Sequence, residues 1–384
     1  IKTMPFLIFP QCLSMTPLYC AVLFLAACDL PKPPPDLFYK YDVIPVGKGP
    51  AHLLTTDINL DGELDLISTN AKDNTLTLLY GKGNGGFRSG VTINVALEPT
   101  MTAVGDFNRD GVPDIAVNAR GEEMFLVFLG KGNRKFRKPL RTRTGKVPLN
   151  IVLGDYNEDG NLDIAVTLTF SKMELYLGNG SGRFNKGETY LTGSRSFSGT
   201  TEDFNSDGHL DIALAASSSG ASSIRLFIGN GDGTFQKPKR LAEQLVPLAL
   251  VASDMNSDGK VDLVFAAGQG DNMYILNSNA DGSFKNPIIF SAGGGPFALT
   301  TGHFNPDNLK DVAVANSRSS NFSLVIRNPN GTFKFPTRNY VVEGGTPLAI
   351  TSGDYNHSGM KDIAVASNAK NTVEIYLQRR IFTN

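Results

Sequence analysis

The sequence predicts an all-β fold, a seven-bladed ring of four-stranded blades, and three observations carry that expectation. A nine-residue pattern, Asp-x-Asn-x-Asp-Gly-x-x-Asp, recurs with starts at positions 57, 106, 155, 203, 254, 303 and 354. Each copy lies between short apolar runs of strand length, and no long amphipathic helical pattern intervenes. The 384 residues include 40 Gly and 21 Pro, which punctuate turns rather than extend helices.

The elements of one repeat follow in a fixed order. An apolar run precedes the pattern, as in Thr102-Ala-Val-Gly105 or Ile151-Val-Leu-Gly154, and a second run follows it, as in Ile164-Ala-Val166 or Ile212-Ala-Leu214. A third run alternates with period two, as in Met173-Glu-Leu-Tyr-Leu177 or Ile224-Arg-Leu-Phe-Ile228. A Gly-rich turn then leads to a Phe, as in Gly229-Asn-Gly-Asp-Gly-Thr-Phe235, which is expected to open a more polar fourth strand. That strand ends near a Pro, in the pairs Phe87/Pro99, Phe136/Pro148, Phe235/Pro247 and Phe284/Pro296. One such sheet cannot bury both faces, so the blades must stack around an axis. The seventh copy lacks room for a fourth strand. Phe38 precedes Pro50 by the same interval, so residues 38–46 are expected to supply it and close the ring, which removes exposed edges.

The first 35 residues read differently. All three Cys lie at positions 12, 20 and 28, so no disulfide framework exists in the repeat region. The apolar run from Leu18 to Cys28 is too short to span a bilayer and reads as part of a signal peptide, residues 1–27. Leu25-Ala26-Ala27-Cys28 resembles the lipobox of bacterial lipoproteins, which implies lipidation at Cys28 after cleavage. Residues 28–35 then form a Pro-rich tether to a propeller spanning 36–384. The alternative is an ordinary secretory signal. On the lipoprotein reading the chain sits in a bacterial cell envelope, anchored to the outer membrane or cell surface.

The acidic loops together with the Gly-Asn-Gly-Asp-Gly-Thr-Phe turns resemble FG-GAP/VCBS repeats, the propeller type of integrin α chains and many bacterial surface proteins. The resemblance implies a β-propeller fold. For function it implies adhesion modules, lectins or polysaccharide-degrading enzymes without choosing among them.

Several carboxylates on one short loop repel unless a cation joins them, and hard oxygen donors without His or Cys select Ca²⁺. Five complete loops supply the side-chain donors. They are Asp57, Asn59, Asp61 and Asp65; Asp106, Asn108, Asp110 and Asp114; Asp155, Asn157, Asp159 and Asp163; Asp203, Asn205, Asp207 and Asp211; and Asp254, Asn256, Asp258 and Asp262. The seventh position would add a backbone carbonyl. Affinities on the order of 10⁻⁴ to 10⁻³ M are expected, suited to extracellular calcium. Two further loops are weaker: Asn305, Asp307 and Asp311, where His303 replaces the first Asp and Asn308 the Gly, and Asp354, Asn356 and Asp362, where Ser358 replaces the middle Asp. A transition-metal site at His303 or a relic loop are both readings of the sixth copy. About five calcium sites, and up to seven, follow.

Four His, three of them in the loops, and no Ser/His/Asp, Cys or phosphate-loop arrangement argue against an enzyme. With no Trp and most of the 24 Phe at repeat positions, a lectin has few sugar platforms, Tyr190 being one candidate. The sequence therefore favours a monomeric binding or scaffold protein for a protein or glycan partner, not for nucleic acid. A carbohydrate-binding lectin or a calcium-dependent polysaccharide-degrading enzyme is the alternative.

One feature stands outside the repeat. No acid occurs from Met124 to Gly154, where Lys131, Arg134, Lys135, Arg137, Lys138, Arg141, Arg143 and Lys146 accumulate. These are candidate anion contacts, or charges that keep an outer strand soluble. The formal net charge is −1, with 36 bases and 37 acids. Nineteen of those acids are loop aspartates, so metal-bound loops would leave a cationic surface that suits an anionic partner.

Overall fold

The second apolar run of each repeat sets the architecture. In the computed structural model, which describes residues 36–379 apart from 89, 219–221 and 335–336, these runs form the strands Asp65–Asn70, Asp114–Ala119, Asp163–Leu168, Asp211–Ser217, Asp262–Ala267, Asp311–Asn316 and Asp362–Ser367. Every residue in them is buried. A strand with no solvent face must be covered on both sides, and here neighbouring blades are the covers. The expected signal segment, the expected lipidation site Cys28 and the expected tether lie outside the described residues.

Seven antiparallel sheets result, six of them meanders of strands consecutive in sequence and the last completed by the first strand of the chain. The seven inner strands, from Pro50–Thr56 to Pro347–Gly353, touch one another in succession, and the first touches the last. The protein is an all-β, seven-bladed propeller. As expected, Phe38–Pro45 pairs antiparallel with Thr372–Gln378, setting Phe38 opposite Gln378 and Pro45 opposite Thr372, so the last blade takes its outer strand from the start of the chain.

The fourth strands depart from expectation. Phe136, Phe235, Phe284 and Phe333 make only isolated bridges, to Gly130, Gly229, Ser278 and Arg327. Strand pairing resumes at Leu140, Lys239, Ile288 and Arg338. Proline explains the gap in three blades: Pro139, Pro238 and Pro287 lie three residues after the Phe and cannot donate to a ladder. Blade three has Gly187 there instead, and its outer strand Phe184–Leu191 is continuous.

Among the described residues the apolar core divides into seven clusters, one at each seam between blades. At the seam of blades two and three, Ala116, Phe125 and Val127 pack against Ile151, Ile164, Val166 and Tyr176. At the seam of blades six and seven Phe38, 2% exposed, meets the rings of Phe304, Phe322 and Tyr340 edge-on. Such contacts add to the burial of the ring itself. Phe38→Ala is therefore expected to lower stability by about 3–5 kcal/mol, read as a shifted urea midpoint. An unchanged midpoint would mean that the closing strand does not secure the ring.

Candidate metal loops and axial mouth

Each acidic loop is folded by its own side chains. The first Asp accepts the amides of positions five and six, as Asp106 does from Asp110 at 3.1 Å and Gly111 at 2.8 Å, and Asp57, Asp155, Asp203 and Asp254 repeat the pattern. The middle Asp accepts the amide of position seven in all five complete loops. Asn108, Asn157, Asn205 and Asn256 accept the amide of position five through their carbonyl oxygens, while Asn59 donates to Asp65 Oδ2 at 2.7 Å. Position four is left-handed in non-glycine residues, among them Leu60, Arg109, Glu158 and Ser206, with φ of 56° to 60°. The glycine at position six has φ of 77° to 91° in these loops, a region costly for any residue with a Cβ.

The ninth position is different in kind. Asp65, Asp114, Asp163, Asp211, Asp262, Asp311 and Asp362 are fully buried. In every blade one carboxylate oxygen accepts the amide of loop position two, and the other accepts an amide at the end of the third strand. For Asp163 these are Tyr156 at 2.9 Å and Gly178 at 2.7 Å; the other six repeat the arrangement at 2.6–3.2 Å. This carboxylate ties the loop to the far hairpin of its own blade. Burial pushes Asp65, Asp114, Asp163 and Asp211 up to about 6 and Asp311 and Asp362 up to about 7, and the amides only partly offset it. Burial raises Asp262 as well.

Loop six is rebuilt rather than merely depleted. Its fourth position is Pro306, whose ring fixes φ negative, so the left-handed residue of the other loops is unattainable. His303 Nδ1 instead contacts the Leu309 carbonyl at 3.1 Å, Asn305 accepts the Asp307 amide, and Asn308 takes φ of 57°. Loop seven keeps the common fold, with Asp354 accepting the amides of Ser358 and Gly359 and Asn356 also accepting that of Ser358.

The donor chemistry of loops one to five suits a hard divalent cation: carboxylate and amide oxygens, most of them holding a single hydrogen bond and able to accept another interaction. Among the described residues, no group of three or more His, Cys, Asp or Glu converges as a ready metal centre. The loops thus match calcium by donor type, with their side chains tied to backbone amides.

Two of the candidate anion contacts are engaged in ion pairs. Arg134 pairs with Asp61 at 3.1 Å and lies 4.4 Å over the Tyr80 ring, and Arg141 pairs with Glu122 at 3.2 Å. Lys131, Lys135, Arg137, Lys138 and Arg143 are exposed. Tyr190 is no open sugar platform: its ring meets Phe227 and Phe235 edge-on, and its hydroxyl accepts the Phe235 amide.

The inner strands run toward the acidic loops, so their first residues gather at the opposite end of the axis. There the residues at position 51, 100, 149, 197, 248, 297 and 348 (Ala51, Thr100, Leu149, Phe197, Leu248, Phe297 and Leu348) line a cavity of about 640 Å³. Phe197 and Phe297 are 47% and 41% exposed, and Leu97 and Phe170, in connections at the same end, are exposed as well. His52 Nδ1 and Thr100 Oγ1, in the cavity wall, have no partner in the protein, and burial pushes His52 down to about 4. Sequence reasoning missed this mouth. Its signal is one position near the start of the inner strand, large and apolar in five of seven copies: after the repeat's proline at Leu149, Leu248, Phe297 and Leu348, and after Ser196 at Phe197.

The FG-GAP-like repeat matches residues 57–117, 155–214, 203–249, 254–314 and 303–365, well over half of the chain. The chain belongs to the FG-GAP-like repeat family. A comparison with curated proteins returns no match. Among solved structures, BBS1N in complex with ARL6DN superposes with a TM-score of 0.63 at 13% identity, covering 90% of this chain and 98% of that one. A lectin of Agrocybe aegerita, described as recognising non-reducing terminal N-acetylglucosamine, superposes with a TM-score of 0.54 at 16% identity and 85% of each chain. At such identities the likeness is one of fold. In this FG-GAP-like propeller the ninth-position carboxylate recurs in all seven blades, and it can be tested directly. Asp163→Ala leaves two buried amides without an acceptor, at about 1–3 kcal/mol each. Chemical denaturation should show the loss, and a midpoint within error of the parent would remove the tie from the fold's support.

Proposed function

We propose that this FG-GAP-like propeller is a non-catalytic binding scaffold, stabilised by calcium and tethered through Cys28 to a bacterial cell envelope, that seats a partner protein on its axial mouth. The observation that carries the reading is the pair of half-exposed rings, Phe197 and Phe297, on the rim of an apolar cavity. Aromatic anchors at the centre of a recess, with polar surface around them, are what protein interfaces use as hot spots. BBS1N, a propeller of the same fold, was crystallised with ARL6DN, which supports a protein as the partner.

The chemistry of the remaining side chains supports binding over turnover. His209 and His357 engage Glu158 and Glu63 on the adjacent blade's loop, and His303 engages a backbone carbonyl. In loops one to five the buried ninth-position carboxylate is raised by burial and by the neighbouring loop aspartates with no cation set against them, which supports calcium there. Each site would hold the ion through Asp and Asn oxygens and so neutralise repulsion within the loop.

Calcium bound only by the folded state must stabilise it, by about 2.7 kcal/mol per site at a hundredfold excess over Kd. Thermal unfolding of the full chain should shift upward in calcium and downward in chelator, and identical curves would overturn the calcium reading. For the mouth, Phe197→Ser with Phe297→Ser should abolish a cross-link to an envelope protein that the parent chain forms. A partner retained by that variant places binding elsewhere. Cys28→Ser should move the protein from the membrane fraction to the soluble one; persistence in the membrane fraction defeats the anchor.

A further inference from the structure

The basic run of blade two does not belong to the axial mouth, and the structure separates its cations into two groups. Arg134 and Arg141 are neutralised by Asp61 and Glu122. Lys131, Lys135, Arg137, Lys138, Arg143 and Lys146 are exposed and form no ion pair among the described residues. They follow the turn and outer strand of the blade, where Leu140–Arg143 is the edge of its sheet. On an extended backbone a residue advances about 3.3 Å, so Arg137 to Arg143 spread along about 20 Å of one edge. Glu122 and Glu123 stand only at the upper end, beside Met124, which pairs with Arg143. The outer strands of the flanking blades carry far fewer cations: Arg88 in blade one, and Lys186 in blade three, which is paired with Glu174.

We infer that this edge is a docking strip for a linear acidic polysaccharide. The partner class follows from what accompanies the charges. No large apolar side chain is exposed between Leu97 and Phe170, so the strip has nothing to insert into a bilayer. Phe136, the aromatic within it, packs into the seam of blades one and two, so no ring is free to stack a nucleobase. The same lack of aromatic and apolar anchors disfavours a folded protein surface, whose affinity concentrates in such residues. A row of cations on a hydrophilic edge instead matches a chain whose recognisable feature is repeated sulfate or carboxylate. Binding of this kind is carried by counterion release and weakens steeply with salt.

The test uses the full chain in calcium buffer with heparin and polygalacturonate as probes, across a salt series. The parent should bind at least one probe, with log affinity falling linearly against log salt. Arg137→Ser, Lys138→Ser, Arg143→Ser and Lys146→Ser together should weaken binding about tenfold or more and flatten the salt slope. A control variant removes the same charge elsewhere, at Lys72, Lys172, Lys237 and Lys285, all exposed, and should leave affinity within about twofold. Thermal unfolding verifies both folds; if the fourfold variant is unstable, the Arg137/Lys138 and Arg143/Lys146 pairs replace it. Equal weakening by the control, or no binding of either probe, overturns the strip. Tighter binding to duplex DNA or to phosphatidylserine vesicles than to both polysaccharides overturns the assignment of partner.

Discussion

The buried carboxylate at the ninth loop position is the interaction on which the rest of the structure depends. It begins the second strand of each blade, and its two oxygens hold the start of the loop before it and the end of the third strand beyond it. One side chain thereby fixes the inner hairpin against the outer one, in all seven blades. An ionised group at zero exposure is costly unless hydrogen-bonded, and the two backbone bonds per carboxylate offset part of that cost. Because the tie is local to each blade, it shapes the units that the apolar seams then join.

That role was hidden by the same regularity that made the repeat visible. A recurrent Asp pattern reads as a ligand set, and sequence spacing alone does not show that the ninth-position oxygens also accept backbone amides. The architecture itself was legible: strand-length apolar runs, even spacing and the Phe38/Pro50 interval led to the ring and its closure. The broken outer strands were not foreseen, although Pro139, Pro238 and Pro287 were there to be read as ladder breakers. Pro306 is similar. Its consequence depends on position four being left-handed, a property of the fold that Leu60 or Glu158 do not announce.

The site was legible only where charge alone decides. The loops and the basic run stood out in composition, but the pairing of Arg134 with Asp61 depends on which blades meet, and that of Arg141 with Glu122 on the register within blade two. Phe197 and Phe297 do not stand out among the phenylalanines in the sequence, because in an alternating strand the face a residue presents follows from which neighbour covers it. At the start of an inner strand the neighbour is the axis itself, which is open. The exposed rings are thus a product of ring geometry rather than of local pattern.

The meander also explains why three kinds of surface coexist without interfering. Antiparallel strands of alternating direction send successive turns to opposite ends, so the acidic loops and Gly-rich turns share one end, and the apolar starts of the inner strands share the other. Outer strands face neither end. Negative charge, apolar rings and the uncompensated cations of blade two are therefore kept on separate parts of the ring by connectivity alone. The near-zero net charge conceals this separation, because 36 bases and 37 acids cancel in the sum while nineteen of the acids sit in the loops. Within a screening length of about 8–10 Å, a ligand feels only the charges of the surface it approaches. The blade-two edge thus acts as a cationic surface in a molecule whose total charge gives no hint of one.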